Sequence, residues 1–287
     1  MSALAILTYG ASSMAQNYKV IYGEDTRIDP AFEKNLLWSD LARSTVAQVS
    51  NDNLTFQDGM VTFKDVSLQE LFNVCSTERF AEQNANAHCS AFLVAEDLIV
   101  TAGHCIDHRA CEDNSFSWVF DYRIDELDGL TLPESRAYGC AEVLIHELDP
   151  YIHSDYALVR LDRPVLDREP LQFRDSGKVL SGQELIVIGH PSGLPTKIAS
   201  GATVHQNSHE EYFVADLDTY GGNSGSAVLD AQTGLVEGIL VRGARDYVWN
   251  SQDSCFESNV CDSLGSNFTC GGESVSRITQ LDILSFL

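Results

Sequence analysis

Between residues 45 and 242 the chain is a succession of short apolar, β-branched runs, each cut off by glycine, proline, asparagine or serine. Runs of this length are too brief for periodic helices and read as strands. A first series covers 45–49, 90–94, 98–101, 117–120 and 157–161, and a second covers 184–189, 202–205, 211–215, 226–229 and 236–242. The stretch 162–182, with Pro164 and Pro170 among charged residues, reads as the link between the two series. Helical patterning is confined to 68–73 and 277–286, and no solenoid or propeller repeat is present. The expected fold is all-β in two units with a short C-terminal helix, divided as 16–165 and 166–287.

The 287 residues suffice for a large core. Eight cysteines, none in a C-x-x-C pair, suit disulfides better than a structural zinc site and point to an oxidising compartment. The opening stretch 1–15 is small and apolar and ends in Ser-Met-Ala, as a signal peptide would, so a secreted or periplasmic protein is expected. A non-cleaved N-terminal strand is the alternative reading of this segment. No run reaches the roughly eighteen apolar residues that a spanning helix needs. A net charge of −24 disfavours nucleic acid and anionic membranes as partners. A monomer is expected.

Three places carry chemistry. In Tyr220-Gly221-Gly222-Asn223-Ser224-Gly225-Ser226, glycines flank a serine between two strands, which lets a hydroxyl project while leaving backbone donors free. The same sequence also makes a tight turn. In Leu98-Ile99-Val100-Thr101-Ala102-Gly103-His104-Cys105, a strand runs into a small-residue turn bearing a histidine, the side chain suited to take a serine proton near neutral pH. In Ser154-Asp155-Tyr156-Ala157-Leu158, a carboxylate stands at the mouth of a strand, where it could orient that histidine or simply be solvated. Seven further histidines are present, His88, His108, His146, His153, His190, His205 and His209, and the pairs His104 with His108 and His205 with His209 show H-x-x-x-H spacing, but neither pair lies in a helical pattern or carries the glutamate of H-E-x-x-H. No metal and no cofactor are expected. His190 sits in a turn, Gly189-His190-Pro191-Ser192-Gly193.

Taken together and in this order, these motifs resemble those of the trypsin-like serine peptidases, particularly the bacterial glutamyl-endopeptidase-like branch. The resemblance runs from about residue 44 to the C-terminus. It implies two packed six-stranded antiparallel β-barrels, with His104 and Asp155 from the first and Ser224 from the second meeting at a cleft. It also implies an oxyanion hole made by the N–H groups of Gly222 and Ser224. Asn223 stands where the animal digestive enzymes carry an aspartate that pairs with a freed N-terminus, so that activation step is not expected here. A Cys89–Cys105 disulfide is implied. The other six cysteines leave fifteen connectivities open; Cys111 with Cys140, and a local bridge among Cys255, Cys261 and Cys270, are the pairings entertained.

For specificity, the resemblance makes Asp218, Thr219 and Gly243 substrate-binding positions. Asp218 at a pocket base would favour cleavage after arginine or lysine, unless Arg242 points inward or Asp218 caps a turn. The glutamyl enzymes use a histidine where this chain has Leu240. The expected activity is hydrolysis of protein or peptide substrates through an acyl-enzyme. The alternatives are an inactive secreted binding protein that keeps the fold and a peptidase with another preference.

Overall fold

The alternation of apolar residues along the runs decides which face each strand buries. The computed structural model describes residues 20–107, 109–151, 153–262, 264–265 and 270–287, so the stretch 1–15 and His108 lie outside the described residues. The first half contributes β1 (Ile21–Tyr22), helix α1 (Leu36–Leu41), β2 (Thr45–Ser50), β3 (Leu54–Gln57), β4 (Met60–Phe63), helix α2 (Leu68–Phe72), β5 (Ala87–Ala95), β6 (Leu98–Thr101), β7 (Phe116–Phe120), β8 (Thr131–Pro133), β9 (Ala137–Tyr138), β10 (Cys140–Asp149) and β11 (Ser154–Leu161). The second contributes β12 (Glu184–Gly189), β13 (Lys197–Gln206), β14 (Tyr212–Ala215), β15 (Ala227–Asp230), β16 (Val236–Arg242), β17 (Tyr247–Asn250), β18 (Cys255–Ser258), β19 (Val260–Cys261) and β20 (Glu273–Arg277).

Seven strands of the first half form one sheet in the order β10-β11-β6-β5-β2-β7-β9. Its edge strands, β9 and β10, are separated in the chain only by Gly139, so the sheet must curl round until they meet. Val46, Leu93, Ile99, Trp118, Phe120 and Val159 fill the curl. The second half is a closed barrel, β12-β13-β14-β20-β16-β15, around Leu185, Val187, Phe213, Val228, Leu240 and Val275. The trypsin-like all-β architecture is therefore present as a closed six-stranded barrel beside a curled seven-stranded sheet. Among the described residues no ladder joins β9 to β10, and β9 is only two residues long, Ala137–Tyr138.

A third cluster joins the units, with Phe92, Val94, Val100 and Leu158 packed against Ile188, Leu229, Ile239 and Val241. The expected C-terminal helix is instead two short 3-10 turns, Ile278–Gln280 and Ile283–Phe286, after a strand that already includes Arg277. Ile278, Leu281 and Ile283 are drawn into the inter-unit core, and this packing outweighs continuous helical hydrogen bonding. The link 162–182 holds no strand but is anchored, since buried Arg168 donates twice to Asp121 at 2.9 Å.

Between β2 and β5 lies an excursion of β3, β4 and α2, whose two strands are joined by β8, from the connection between β7 and β9, into a three-stranded sheet. The Ser67 hydroxyl accepts from the Glu70 amide while the Glu70 carboxylate accepts from the Ser67 amide, so both ends of the capping box are satisfied. Asn73 ends the helix in the left-handed conformation, at φ 53°. Four disulfides join Cys75 to Cys255, Cys89 to Cys105, Cys111 to Cys140 and Cys261 to Cys270. The first pins the end of this excursion to β18 across 180 residues, a pairing that spacing gave no hint of.

Candidate active site

Four buried residues carry β6 into the turn Gly103–Cys105, which leaves the His104 side chain partly exposed. Antiparallel pairing of β6 with β11, Thr101 opposite Ala157, brings the start of β11 under that turn. Asp155, 5 % exposed, accepts there from the His104 main-chain N–H through Oδ1 at 3.0 Å and meets the ring Nδ1 through Oδ2 at 2.8 Å. A carboxylate on Nδ1 holds the proton there and leaves Nε2 as the basic atom. His146 steadies the turn from β10, its Nε2 lying 3.0 Å from the Gly103 carbonyl and 2.8 Å from that of Ile106.

The serine loop links β14 to β15, and in its turn 221–226 four of the six amides are bonded. The N–H of Gly221 donates to Asp246, that of Asn223 to the Tyr220 carbonyl, that of Gly225 to Leu240 and that of Ser226 to Asn223. Among the described residues, the amides of Gly222 and Ser224 meet no acceptor. Two glycines make this conformation possible. Gly222 has φ +87°, and a Cβ there would lie 2.5 Å from the His190 carbonyl. Gly225 has the same φ, and its Cβ would come within 2.0 Å of the Ser90 carbonyl.

The loop is docked on the first unit at the histidine turn. The Ser90 N–H donates to the Ser224 carbonyl at 2.7 Å, and the Ser90 hydroxyl donates to that of Gly222 at 2.8 Å. The Cys105 sulfur is 3.7 Å from the Ser224 carbonyl, and a His104 ring nitrogen lies within 4.8 Å of both sulfurs of the Cys89–Cys105 disulfide. Those two sulfurs and the imidazole are the one metal-like grouping among the described residues, but a disulfide offers no thiolate to a metal. The Asn223 side chain is engaged locally, accepting from the Ser226 hydroxyl at 3.1 Å.

The N-terminal segment braces the loop from behind, a feature the sequence reading missed. Buried Arg27 sits 4.2 Å over the Tyr220 ring and pairs with Asp25. The Thr219 N–H donates to the Val20 carbonyl. Asp218 belongs to the same brace: its Oδ1 accepts from the Tyr22 N–H at 2.8 Å, and its Oδ2 from the Thr26 N–H at 2.9 Å and hydroxyl at 2.7 Å. Burial lifts its carboxyl above the usual carboxylate range despite these three donors. Arg242 turns away from it, placing Nη1 2.7 Å from His153 Nδ1.

The carboxylate beside Thr219 and Gly243 is that of Glu273, fully buried on β20, which sequence reasoning did not select. It accepts from the Thr219 hydroxyl at 2.6 Å and the Ala244 N–H at 3.3 Å, and a Cβ on Gly243 would lie 1.9 Å from it. No local motif marks Glu273; only barrel closure by the β14–β20–β16 ladders brings it to this wall. His190 is buried, with Nδ1 3.1 Å from the Leu194 carbonyl. Burial pushes its imidazole down to about 3. His205 lies 2.8 Å from Asp216, and His209 stacks on Tyr212.

No curated protein matches this sequence. Among solved structures, the chain is similar to a Glu endopeptidase solved in complex with MPD, at 17 % identity and TM-score 0.52, covering 93 % of this chain and 98 % of that one. It is also similar to the active form of the Rv3671c protease from M. tuberculosis, at 15 % identity and TM-score 0.48, covering 96 % of this chain and 90 % of that one. The first of these likenesses supports the fold. A sequence model of the trypsin-like peptidase domain matches residues 89–239, the span from Cys89 through the histidine, aspartate and serine motifs into β16. On that match over more than half its length, the chain belongs to the trypsin-like peptidase family.

Proposed function

We propose that the protein is a serine endopeptidase acting through an acyl-enzyme, with Ser224 as nucleophile, His104 as base and Asp155 orienting the histidine. The observation that carries this reading is the pair of unengaged amides at Gly222 and Ser224, in a turn, 221–226, whose other four amides are bonded. Ser224 Oγ forms a bond to the scissile carbonyl carbon while its proton passes to His104 Nε2, and the two free amides receive the developing oxyanion. Collapse expels the amine, which takes the proton from His104 and leaves an acyl ester on Ser224. Water then attacks the ester, giving a proton to His104, and the acid departs as Ser224 recovers its own proton.

A fluorophosphonate tests the reading. The reagent is expected to label Ser224 in the wild type, mapped by mass spectrometry, and to fail with Ser224→Ala. A wild-type protein that stays unlabelled would return the case to a binding protein that retains the fold.

On the acyl side, the preference that fits is for arginine or lysine, because the buried carboxylate of Glu273 lies against Thr219 and Gly243, whereas both oxygens of Asp218, the position expected to serve, are taken up by Tyr22 and Thr26. Peptides differing only in Arg, Lys, Glu or Phe before the scissile bond decide this. Glu273→Gln is expected to lower the preference for Arg over Phe, whereas a preference for Glu or Phe in the wild type would remove it. Four disulfides favour an extracellular or periplasmic location, and among the described residues no helix is long and apolar enough to cross a membrane.

A further inference from the structure

A cavity of about 340 Å³ opens beside Gly221 and Gly222, and the chemistry above does not use it. Its near wall is formed by these glycines, Gly193 and the pair Ala87–His88. Its far wall comes from the excursion between β2 and β5: Val66, Leu71 and Phe72 supply apolar surface, and Lys64 is the lysine of the lining. We propose that this cavity is a subsite for the departing segment of the substrate, selecting an apolar side chain there with Lys64 favouring an acidic neighbour. The proposal rests on the peptidase reading of Ser224.

Position supports this assignment. Thr219 and Gly243, proposed for the acyl side, do not line the cavity, whereas Ala87 and His88 lead into Cys89 and through its disulfide to Cys105 beside the base. A chain whose scissile carbonyl meets the Gly222 amide and whose acyl side runs towards Thr219 has its departing side nearest this cavity. The wall is also built in advance. Leu71 and Phe72 remain 50 % and 39 % exposed at the end of α2, yet the ring of Phe72 lies 6.1 Å from that of Tyr247. The Tyr247 hydroxyl is in turn 2.7 Å from that of Ser192, and the Cys75–Cys255 disulfide clamps the segment three residues beyond Phe72. A rigid apolar wall costs little ordering when a side chain docks on it. The volume is near the low end of small-ligand pockets, roughly 300–1,000 Å³, which suits one or two side chains. Lys64 is a local cation on a chain of net charge −24, so it would draw a carboxylate to this point.

Quenched fluorescent peptides identical on the acyl side, with Leu, Phe, Asp, Lys or Gly at the first two departing positions, test the subsite. An ester with no residue beyond the scissile bond reports on the catalytic centre in every variant. Wild type is expected to prefer Leu or Phe over Gly by roughly tenfold or more in kcat/KM. Leu71→Ser should narrow that ratio, and Lys64→Glu should turn a preference for a neighbouring Asp into one for Lys. Ester hydrolysis with no discrimination among the departing residues would overturn the subsite alone. A wild type that cleaves neither ester nor peptide would overturn the peptidase reading and the subsite with it.

Discussion

The Ser90 hydroxyl shows how one residue can serve both units. It accepts from the His190 N–H at 2.9 Å and donates to the Gly222 carbonyl at 2.8 Å, so it fixes two main-chain groups behind the unengaged amides. Ser90→Ala would strip the buried His190 N–H and the part-buried Gly222 carbonyl of their shared partner and is expected to cost about 1–3 kcal/mol, measured by denaturant unfolding. The residues proposed for catalysis predict differently. His104→Ala and Ser224→Ala are expected to retain the fold, because His104 and Ser224 use their main chains for docking, yet to lose turnover by at least about 10³-fold. Asp155→Asn keeps the shape but can no longer fix the proton on Nδ1, and a loss on the order of 10⁴-fold in kcat is expected. Equal turnover in wild type and Ser224→Ala would remove Ser224 from the reaction.

At the scale of elements, the excursion carrying α2 has few long ladders of its own and depends on its tether. Its helix is only five residues long, too short to persist alone, and its apolar end leaves Leu71 half exposed. Replacing Cys75 and Cys255 together by serine opens a loop of 180 residues. The expected loss is about 2–5 kcal/mol in the midpoint analysis of denaturant unfolding. The same double variant should show faster amide exchange in 64–75, and unchanged exchange there would mean that packing on Tyr247 alone holds the segment. The N-terminal segment is the opposite case: Tyr22, Thr26 and Arg27 are tied to the serine loop through Asp218 and Tyr220, so it behaves as part of the barrel despite its short strand.

For the whole molecule, pH acts through the interior. His190 is fully buried beside the loop that supports Gly222, and its Nε2 meets no partner among the described residues. Its folded value of about 3 lies below the ordinary 6.5. Between these values the unfolded chain binds a proton that the folded chain refuses, so stability is expected to fall as pH drops from 6.5 towards 3. The full effect is on the order of several kcal/mol. Thermal unfolding followed from pH 7 to 4 should show the decline, and His190→Gln should flatten it; an equally steep profile in the variant would assign the acid sensitivity elsewhere. The net charge of −24 adds a second dependence. Self-repulsion is screened by salt, so raising ionic strength from about 0.01 M to 0.15 M should raise the unfolding temperature.

The sequence by itself determined the features that are local in the chain. Its short apolar runs specify strands because side-chain alternation and turn residues act over a few positions, and β5, β6, β11, β12 and β16 all fall on expected runs. The histidine, aspartate and serine motifs were legible for the same reason, each being a turn bound to the end of a strand. β10 was not legible, since its half-exposed, charged residues give no clean alternation. The C-terminal stretch 277–286 was legible as helical, but its break into two 3-10 turns was not, because the pull of the inter-unit core on Ile278, Leu281 and Ile283 cannot be seen in a local pattern. Tertiary structure alone decided the rest: that Asp218 is engaged by Tyr22 and Thr26, that Glu273 reaches Thr219 and Gly243, and that α2 walls a cavity beside Gly222. Each of these contacts joins residues tens to nearly two hundred positions apart. Only closure of the barrel and packing of one unit on the other bring such groups within hydrogen-bond or van der Waals reach.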